Sequence, residues 1–430
     1  MSYPQAEASS SPLAPLLLLV LCVAAPLRAQ QSSFDDFRNL GQLEERRREP
    51  SPLRVGPHEL EPSLNVKLLD AVTPHVFGAL SAGYNDNLLR IDRERVGVHV
   101  VGQPEVEAEA GARLDAELGD HRLELEYRAK AVEYLNTGRY DTQQQSVRLR
   151  ADVYAVDLEL HGDASWQRFA YPQSIQLTGL VDLDQFQASA WADGRLGRFG
   201  LRAGGYWAFL DFRQRGLDRL DQYHYRGDVQ TYFRATPKLR VLLEYNYLVV
   251  EYINGRKGGL NDYVAHQVRG GVDGELSPKL TASVKLGYNK QDVDKRAFLD
   301  RREFEGFVAE VGAGYQPFAE THIQAGYSRT LESSIQGNFL GSDQVFVAVQ
   351  QGLFSTITVS ARARYTHSDV SRTGRTLGHL NRFETGAGVS YRPRGWISFS
   401  LDYGFTRLGS TFPDSDYEVH EVTASVGVGL

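Results

Sequence analysis

The sequence predicts an all-β protein that folds as a single closed antiparallel transmembrane β-barrel of about eighteen strands. Three observations support this prediction. Short turn signals recur about every forty residues from Val76 onwards, longer polar stretches lie between them, and the intervening segments alternate apolar with polar residues. Hairpins with short turns at one end and longer loops at the other are typical of outer-membrane barrels, whose short turns are periplasmic and whose loops are extracellular.

Residues 1–29 are predicted to be a secretory signal peptide. An apolar core runs from Leu13 to Leu27, and Ala29 precedes a glutamine-rich start. The segment has no Lys or Arg before Leu13, and the alternative is an N-terminal membrane anchor, although the core is short for a span. The chain's one cysteine, Cys22, lies here, so the mature protein is predicted to have neither a disulfide nor a thiolate metal site.

Residues 30–73 are predicted to be a proline-rich periplasmic leader. Their prolines and the charge run at 44–49 are typical of a linker. Phe34, Phe37 and Leu40 recur every three residues, which is compatible with one short amphipathic helix. Two interpretations remain open: a disordered tail, or a helix that plugs the lumen or docks a periplasmic partner.

Residues 74–430 are predicted to form the barrel. An even number of strands returns the chain to the periplasmic side on which the barrel began, and eighteen strands satisfy this condition. In the last segment Val422, Ala424 and Val426 share one face, which resembles the signal read by the barrel-assembly machinery. The outward apolar positions of the eighteen segments begin, in chain order, at Val76, Val106, Leu123, Val147, Leu158, Phe186, Leu201, Tyr225, Val241, Val264, Leu280, Phe307, Ile323, Val345, Ile357, Phe383, Phe399 and Val422.

Tight periplasmic turns are predicted between successive pairs of strands, mostly where Gly, Pro and Asp cluster. In chain order they are Gly119-Asp120, Tyr154-Ala155, Leu196-Gly197-Arg198, Thr236-Pro237-Lys238, Ser277-Pro278-Lys279, Gln316-Pro317, Gln351-Gly352 and Arg392-Pro393-Arg394-Gly395.

Composition limits the alternatives. Beyond residue 30 no window approaches eighteen consecutive apolar residues, so a transmembrane helix is not predicted there. The formal charge is -7 and no basic stripe stands out, which argues against a nucleic-acid partner. A soluble β-propeller also repeats about every forty residues, but its blades contain four short strands and often a Trp-Asp or Gly-His signature, and neither recurs in this chain.

Strand parity predicts which side chains line the lumen. An Arg or Lys that faces lipid at mid-membrane costs roughly 2–4 kcal/mol, so charges that recur at one parity must face water or charged partners. Both signs occur, which predicts weak ion selectivity and a neutral or anionic hydrophilic cargo. The predicted lumen-lining residues are Glu124, Glu126, Arg128, Lys130, Arg148, Arg150, Asp152, Asp157, Glu159, His161, Asp163, Arg240, Glu244, Arg269, Asp273, Lys285, Arg362 and Arg364.

No catalytic residue, cofactor or metal site is predicted. The chain has no H-E-x-x-H, G-x-S-x-G or P-loop motif. Two H-x-D pairs, His161 with Asp163 and His367 with Asp369, are interpreted as alternating lumen residues of strands rather than as catalytic pairs.

The segment from Gly83 to Arg90 ends the first predicted strand and opens a long loop in which Asn and Asp favour turns. In its Gly83, Tyr84, Asp86, Asn87 and Leu88, the chain resembles the β-barrel porin 2 family of bacterial exopolysaccharide clusters. The resemblance covers the architecture of residues 74–430 and is sharp only in this motif. It implies an outer-membrane barrel, often linked to secretion of capsule or exopolysaccharide, and it carries over no catalytic residue.

The predicted function is therefore an outer-membrane channel that passes a hydrophilic polymer or solute, with exopolysaccharide as the implied cargo. The lumen charges of the third to fifth strands are predicted to set selectivity, and the loop after Tyr84 to gate the pore. Expected partners are outer-membrane lipid, the barrel-assembly machinery and periplasmic polysaccharide-export proteins. The alternatives are a general or nutrient diffusion porin, and an outer-membrane adhesin or barrel enzyme.

Overall fold

The computed structural model describes ten stretches of the chain. The predicted signal peptide, residues 30–71 of the predicted leader, Leu88 of the first-loop motif and Leu430 lie outside them. The last two residues of the predicted leader, Val72 and Thr73, already belong to the first strand, so the barrel begins two residues earlier than predicted. No helix in the described part of the chain has the length and apolarity that a membrane span requires. The described residues are 72–87, 102–136, 141–172, 180–214, 217–254, 262–294, 303–333, 339–372, 375–412 and 415–429.

Eighteen strands form one sheet, and each of them contains one of the predicted apolar segments. In the described part of the chain one turn of 3-10 helix, Asp218–Leu220, lies in the loop between the seventh and eighth strands. The strands are β1 (Val72–Asn85), β2 (Gln103–Leu118), β3 (His121–Tyr134), β4 (Thr142–Ala155), β5 (Leu158–Pro172), β6 (Leu180–Leu196), β7 (Phe199–Phe212), β8 (Gln222–Thr236), β9 (Leu239–Tyr252), β10 (Tyr263–Ser277), β11 (Leu280–Val293), β12 (Glu303–Tyr315), β13 (Thr321–Ser333), β14 (Phe339–Leu353), β15 (Ile357–Arg372), β16 (Arg375–Arg394), β17 (Ile397–Ser410) and β18 (Tyr417–Gly429).

The sheet closes on itself because β1 pairs with both β2 and β18. Strands β2 to β17 each pair antiparallel with their two neighbours along the chain. The closing register between β1 and β18 runs from Phe77↔Gly429 to Asn85↔Glu421. Closure removes the free sheet edges that could not be hydrogen-bonded in lipid. The predicted closed barrel of eighteen antiparallel strands is thus confirmed.

Short turns join the strands at one end, but two of them lie further along the chain than predicted, and a third begins where predicted and is longer. β4 continues through Tyr154 and Ala155 and turns at residues 156–157, because Tyr favours a strand and neither residue is a turn former. β14 likewise continues to Leu353, and the turn follows at Phe354 and Ser355, whose φ angles are positive. The turn between β12 and β13 spans residues 316–320.

An aspartate directly before a strand fastens the extracellular end of several hairpins. Its side chain accepts a hydrogen bond from the backbone N–H of the last residue of the preceding strand, as short polar side chains do in turns. The sequence analysis missed these residues, although Asp in the position before a strand is a readable signal. The pairs are Tyr134 with Asp141 (2.9 Å), Phe212 with Asp221 (2.8 Å), Tyr252 with Asp262 (2.7 Å) and Ser410 with Asp416 (2.5 Å).

Packed apolar side chains occupy the inner parity near the extracellular loops. Residues that are paired across neighbouring strands lie on the same face of the sheet, and Val250, Tyr263 and Val293 are paired in this way. All three are buried, on the face opposite to that of the exposed apolar residues. At the end with the longer loops, the inner face is therefore apolar on the strands that carry these clusters. The larger cluster includes Leu183, Tyr206, Leu210, Phe212, Val250, Tyr252, Tyr263 and Val293, and a second one includes Leu340, Val370, Leu380, Leu408, Tyr417 and Val419.

Candidate functional site in the lumen

Strand parity separates the two faces of the barrel wall. On β3 the side chains of Leu123 and Leu125 are 41% and 42% exposed, whereas Glu124 between them is 7% exposed. Since the exposed apolar residues face outwards, the charged residues of the opposite parity face the lumen. The predicted lumen residues all have this inward parity except Asp157, which lies exposed in the turn between β4 and β5 rather than in a strand.

The inward charges of β2 and β3 form pairs of opposite sign. Lys130 Nζ lies 2.7 Å from Glu107 Oε1 on the neighbouring strand. Arg128 pairs with Glu126 on its own strand and lies 3.9 Å from Glu109 across the ladder. The arrangement offsets local charge while it leaves the wall rich in hydrogen-bonding groups.

The ladder of opposite charges continues across β4 and β5. Arg148 Nη2 lies 2.8 Å from Asp163 Oδ2. Arg150 lies between two carboxylates, 3.6 Å from Asp163 and 3.8 Å from Glu124 on the other side. The structure therefore brings the predicted residues of β3, β4 and β5 into one connected band.

His161 belongs to this band and not to an H-x-D pair. Its Nδ1 is hydrogen-bonded to Asp152, and its ring stacks on Trp191 with 3.7 Å between centroids. Asp163 is held by Arg148 and Arg150 instead. The two residues thus act as separate members of the charge ladder, in agreement with the interpretation from sequence.

A second group of predicted residues meets on β9, β10 and β11. Glu244 pairs with Arg269 and Lys285 (3.6 Å), and Asn246 donates to it at 2.8 Å. Arg269 also lies 3.1 Å from Glu310 on β12. Glu244 is therefore the hub of a buried network. On the same strands Arg240 pairs with Asp273.

The remaining predicted residues lie on β15. Arg364 is 3.6 Å from Glu384 of β16, and Glu384 also binds Arg382 at 2.7 Å. The side chain of Arg362 packs against Gly386, because a Cβ added to Gly386 would lie 3.0 Å from Arg362 Nε. These residues form a third group, on β15 and β16.

The sequence analysis missed a buried carboxylate on β6. Asp193 is fully buried; it accepts a hydrogen bond from the hydroxyl of Tyr232 at 2.8 Å and lies 3.3 Å from Arg202. The Arg202 guanidinium lies over the ring of Trp191, 4.6 Å from its centroid. Inward parity of Asp193 and Arg202 on β6 and β7 was the signal that could have identified them.

The motif that carries the family resemblance fastens the barrel where its first and last strands meet. Asp86 N–H donates to His420 O at 3.1 Å, and His420 N–H donates to Asp86 Oδ1 at 2.7 Å. Asn87 Nδ2 donates to Glu418 O at 3.0 Å, while Asn87 N–H donates to Asn85 Oδ1 at 2.9 Å. The motif therefore has a structural role in barrel closure, and its predicted gating role stays a prediction.

Asn87→Ala is expected to destabilise the barrel by about 1–3 kcal/mol, because a buried acceptor loses its partner. Urea unfolding of the protein in lipid vesicles measures the difference. Asn136→Ala is the control, since Asn136 is exposed and its hydrogen bond to Gly102 O is 3.4 Å long. Equal stabilities of the two variants would contradict a closing role for Asn87.

The wall is not continuous at the extracellular end between β12 and β13. Their register runs from Tyr315↔Ile323 only to Ala309↔Arg329, although both strands continue beyond it. β13 and β14 stay paired up to Ser333↔Phe339. The upper part of the β13–β14 hairpin therefore separates from β12 as a unit. We call its described residues, 330–333 and 339–341, the tucked hairpin.

The tucked hairpin lies inside the wall. The ring of Phe339 stacks on Phe304 with 4.2 Å between centroids, and Gln291 Nε2 donates to Leu331 O at 3.0 Å. Leu331 and Phe339 have the outward parity of their strands, whereas Gln291 and Phe304 have the inward parity of β11 and β12. The outer face of the hairpin thus packs against the inner face of β11 and β12, and the hairpin narrows the lumen.

Three solved structures are similar to this chain in fold, and no curated protein matches it. The FrpB iron transporter from Neisseria meningitidis (F5-1 variant) has 11% identity and a TM-score of 0.49 over 81% of this chain and 64% of its own. OpdK from Pseudomonas aeruginosa with vanillate has 12% identity and a TM-score of 0.47 over 84% and 99%. A BenF-like porin from Pseudomonas fluorescens Pf-5 has 10% identity and a TM-score of 0.48 over 85% and 100%.

A family described as Putative beta-barrel porin 2 matches residues 72–429. The match begins at the first residue of β1 and ends at the last residue of β18, so it covers the whole barrel. The resemblance inferred from the first-loop motif is confirmed, and this chain belongs to the β-barrel porin 2 family.

Proposed function

We propose that the protein is a passive channel of the bacterial outer membrane for a hydrophilic solute or polymer, and that exopolysaccharide is its cargo. The observation that carries the proposal is the band of paired charges on the inner face of β2–β5, for example Lys130 with Glu107. Family and fold favour a channel over an enzyme. Passage follows a concentration gradient or is driven by periplasmic polysaccharide-export proteins.

Paired charges suit a neutral, polyhydroxylated cargo. Each pair offsets its own charge, so neither cations nor anions are strongly preferred, yet the carboxylate and guanidinium groups remain strong hydrogen-bond partners. A sugar unit exchanges hydrogen bonds with such a wall as it moves. The family resemblance adds the link to exopolysaccharide, which is the finer part of the proposal.

A small-solute diffusion porin is the second candidate. The observation that favours it is the tucked hairpin, which narrows the lumen beside β11 and β12. A narrowed lumen would exclude a polymer unless the hairpin moves.

Conductance in planar bilayers tests the channel, with the mature chain compared with a chain that lacks residues 30–73. Steps from both establish a pore that the leader does not plug, and steps from the truncation alone identify the leader as the gate. Graded maltodextrins and dextrans then separate the candidates. Current block that deepens with oligomer length supports a polymer channel, and block by small sugars only supports a diffusion porin. If neither chain produces conductance steps although both are correctly folded, the channel function is rejected.

Arg128→Ala combined with Lys130→Ala is expected to make the pore more selective for cations. The double variant leaves Glu107, Glu109 and Glu126 on the wall without two of the cations that pair with them. The reversal potential under a KCl gradient measures the change. An unchanged reversal potential would argue against a role of these charges in selectivity.

A further inference from the structure

We propose that His367, Asp369 and His379 form a binding site for a divalent transition-metal cation, such as Zn²⁺, on the outer face of the barrel near its extracellular rim. Imidazole nitrogen and carboxylate oxygen are the ligand types that Zn²⁺ takes from proteins in the absence of cysteine. The inference is independent of the proposed channel function, because the site lies on the side of the wall that faces away from the lumen.

Strand pairing brings the three side chains together. β15 and β16 run antiparallel with Asp369 opposite His379 and His367 opposite Asn381. One ligand atom of each of the three lies within 4.8 Å of the others. His367 Nε2 is 3.3 Å and His379 Nδ1 is 2.5 Å from Asp369 Oδ1. Metal bonds of about 2.0–2.2 Å place tetrahedral ligand atoms roughly 3.3–3.5 Å apart, so small side-chain shifts suffice.

A hydrogen bond on the far side of the ring orients His367. Its Nδ1 lies 2.8 Å from Asn381 Oδ1, and the hydroxyl of Tyr365 donates to the same oxygen at 2.9 Å. With the proton on Nδ1, the lone pair of His367 is on Nε2, which faces Asp369. Metal-binding histidines are oriented in this way by a partner on the other ring nitrogen.

The backbone of His379 is also fixed. Its N–H donates to Thr411 Oγ1 at 2.8 Å, and the N–H of Thr411 donates back to His379 O at 3.0 Å. These bonds tie β16 to the chain that follows β17, so the site rests on three strand ends rather than on a loose loop.

The position of the site leaves room for a further ligand. On β15 the outward apolar residues end with Tyr365, and His367 and Asp369 follow at the same parity, so the interpretation of these two as lumen residues was wrong. The side chains of His367, Asp369 and His379 are 36%, 45% and 47% exposed. Three protein ligands with solvent access leave a fourth tetrahedral position for water or a solute group.

Titration of Zn²⁺ alone into the untagged mature protein in detergent micelles tests the site by calorimetry. The protein and a His266→Ala control are expected to bind Zn²⁺ equally, since His266 is another outward histidine whose ring is bonded to Tyr245. His379→Ala and Asp369→Ala are expected to lose this binding. Asn381→Ala, which removes only the partner of His367 Nδ1, is expected to weaken it by about 10–100-fold.

Two results would overturn the proposal. The first is the absence of saturable Zn²⁺ binding by the correctly folded protein, which would mean that Asp369 only accepts hydrogen bonds from the two imidazoles. The second is Zn²⁺ binding of equal strength in the protein and in His379→Ala, which would place the metal elsewhere. Heat modifiability on a gel confirms that each variant is folded.

Discussion

Phe339→Ala in the tucked hairpin is expected to raise the ratio of open to closed channel by roughly two to three and a half orders of magnitude. Phe339 is 1% exposed and packs on Phe304 in the larger inner-face cluster. Truncation of a buried Phe to Ala costs about 3–5 kcal/mol. If the contact exists only while the hairpin is tucked, the equilibrium shifts by this amount, and every ~1.4 kcal/mol is tenfold. Single-channel recording in planar bilayers measures the open fraction.

Phe354→Ala is the matched control for this prediction. Phe354 is 84% exposed and lies in the turn at the other end of β14, so its loss leaves the hairpin contacts intact. Equal open fractions in the two variants would show that the hairpin does not restrict the pore.

A cross-link between the hairpin and β12 also tests whether the hairpin restricts the pore. This test does not depend on how stable a single Phe339 variant is. The chain's one cysteine is Cys22, within the predicted signal peptide, so introduced cysteines have no competitor in the mature protein. Phe304→Cys with Phe339→Cys, joined by a short cleavable cross-linker, is expected to hold the hairpin tucked and the conductance low. Cleavage of the linker should raise the conductance. A conductance that is the same before and after cleavage would contradict the proposal that the hairpin gates the pore.

The strands were predictable because their signal is local. Outward apolar residues such as Leu123 and Leu125 alternate with inward charges such as Glu124, and lipid on one side with water or ion pairs on the other enforces that alternation. The turns were less predictable because β-formers continue a strand past its apparent end. This is why Asp157 was assigned to a strand while the structure places it in a turn.

The tucked hairpin was not predictable from the pattern of one strand. Leu331 and Phe339 are apolar at the outward parity, as lipid-facing residues are, yet they face the inner side of β12. An apolar surface of lipid and an apolar surface of protein demand the same residue types, so alternation does not distinguish them. A readable hint existed on β7, where Tyr206, Leu210 and Phe212 are apolar at the inward parity and mark a stretch of lumen that is packed.

The charge ladder shows a similar division. Parity alone predicted that Arg150 and Arg269 face inwards, but not which carboxylates they contact, because contacts depend on register between strands. Register places Arg150 opposite Asp163 and Arg269 opposite Glu244. Once it is known, the three groups of predicted residues separate, and Glu244 is one of several carboxylates that two cations share.

Glu244→Gln is expected to destabilise the barrel by about 3–5 kcal/mol and to make the pore more selective for anions. Loss of one partner from a buried ion-pair network leaves the opposite charges without compensation, which is the costly case. Lys285, which is 4% exposed, loses a carboxylate, whereas Arg269 keeps Glu310. The inner face thereby loses one negative charge, which favours anions over cations. Urea unfolding in lipid vesicles measures the stability, and the reversal potential under a KCl gradient measures the selectivity.

Glu275→Gln separates the effect of burial from the effect of charge. Glu275 pairs with Lys238 beside a periplasmic turn, where both side chains are exposed, and such pairs contribute about 0–1 kcal/mol. Both substitutions remove one negative charge with nearly unchanged shape, so a general effect of net charge would act on both alike. A stability loss confined to Glu244→Gln assigns the effect to the buried network. Equal losses would mean that the ion pairs of the lumen are no stronger than those of the surface, because water reaches them freely.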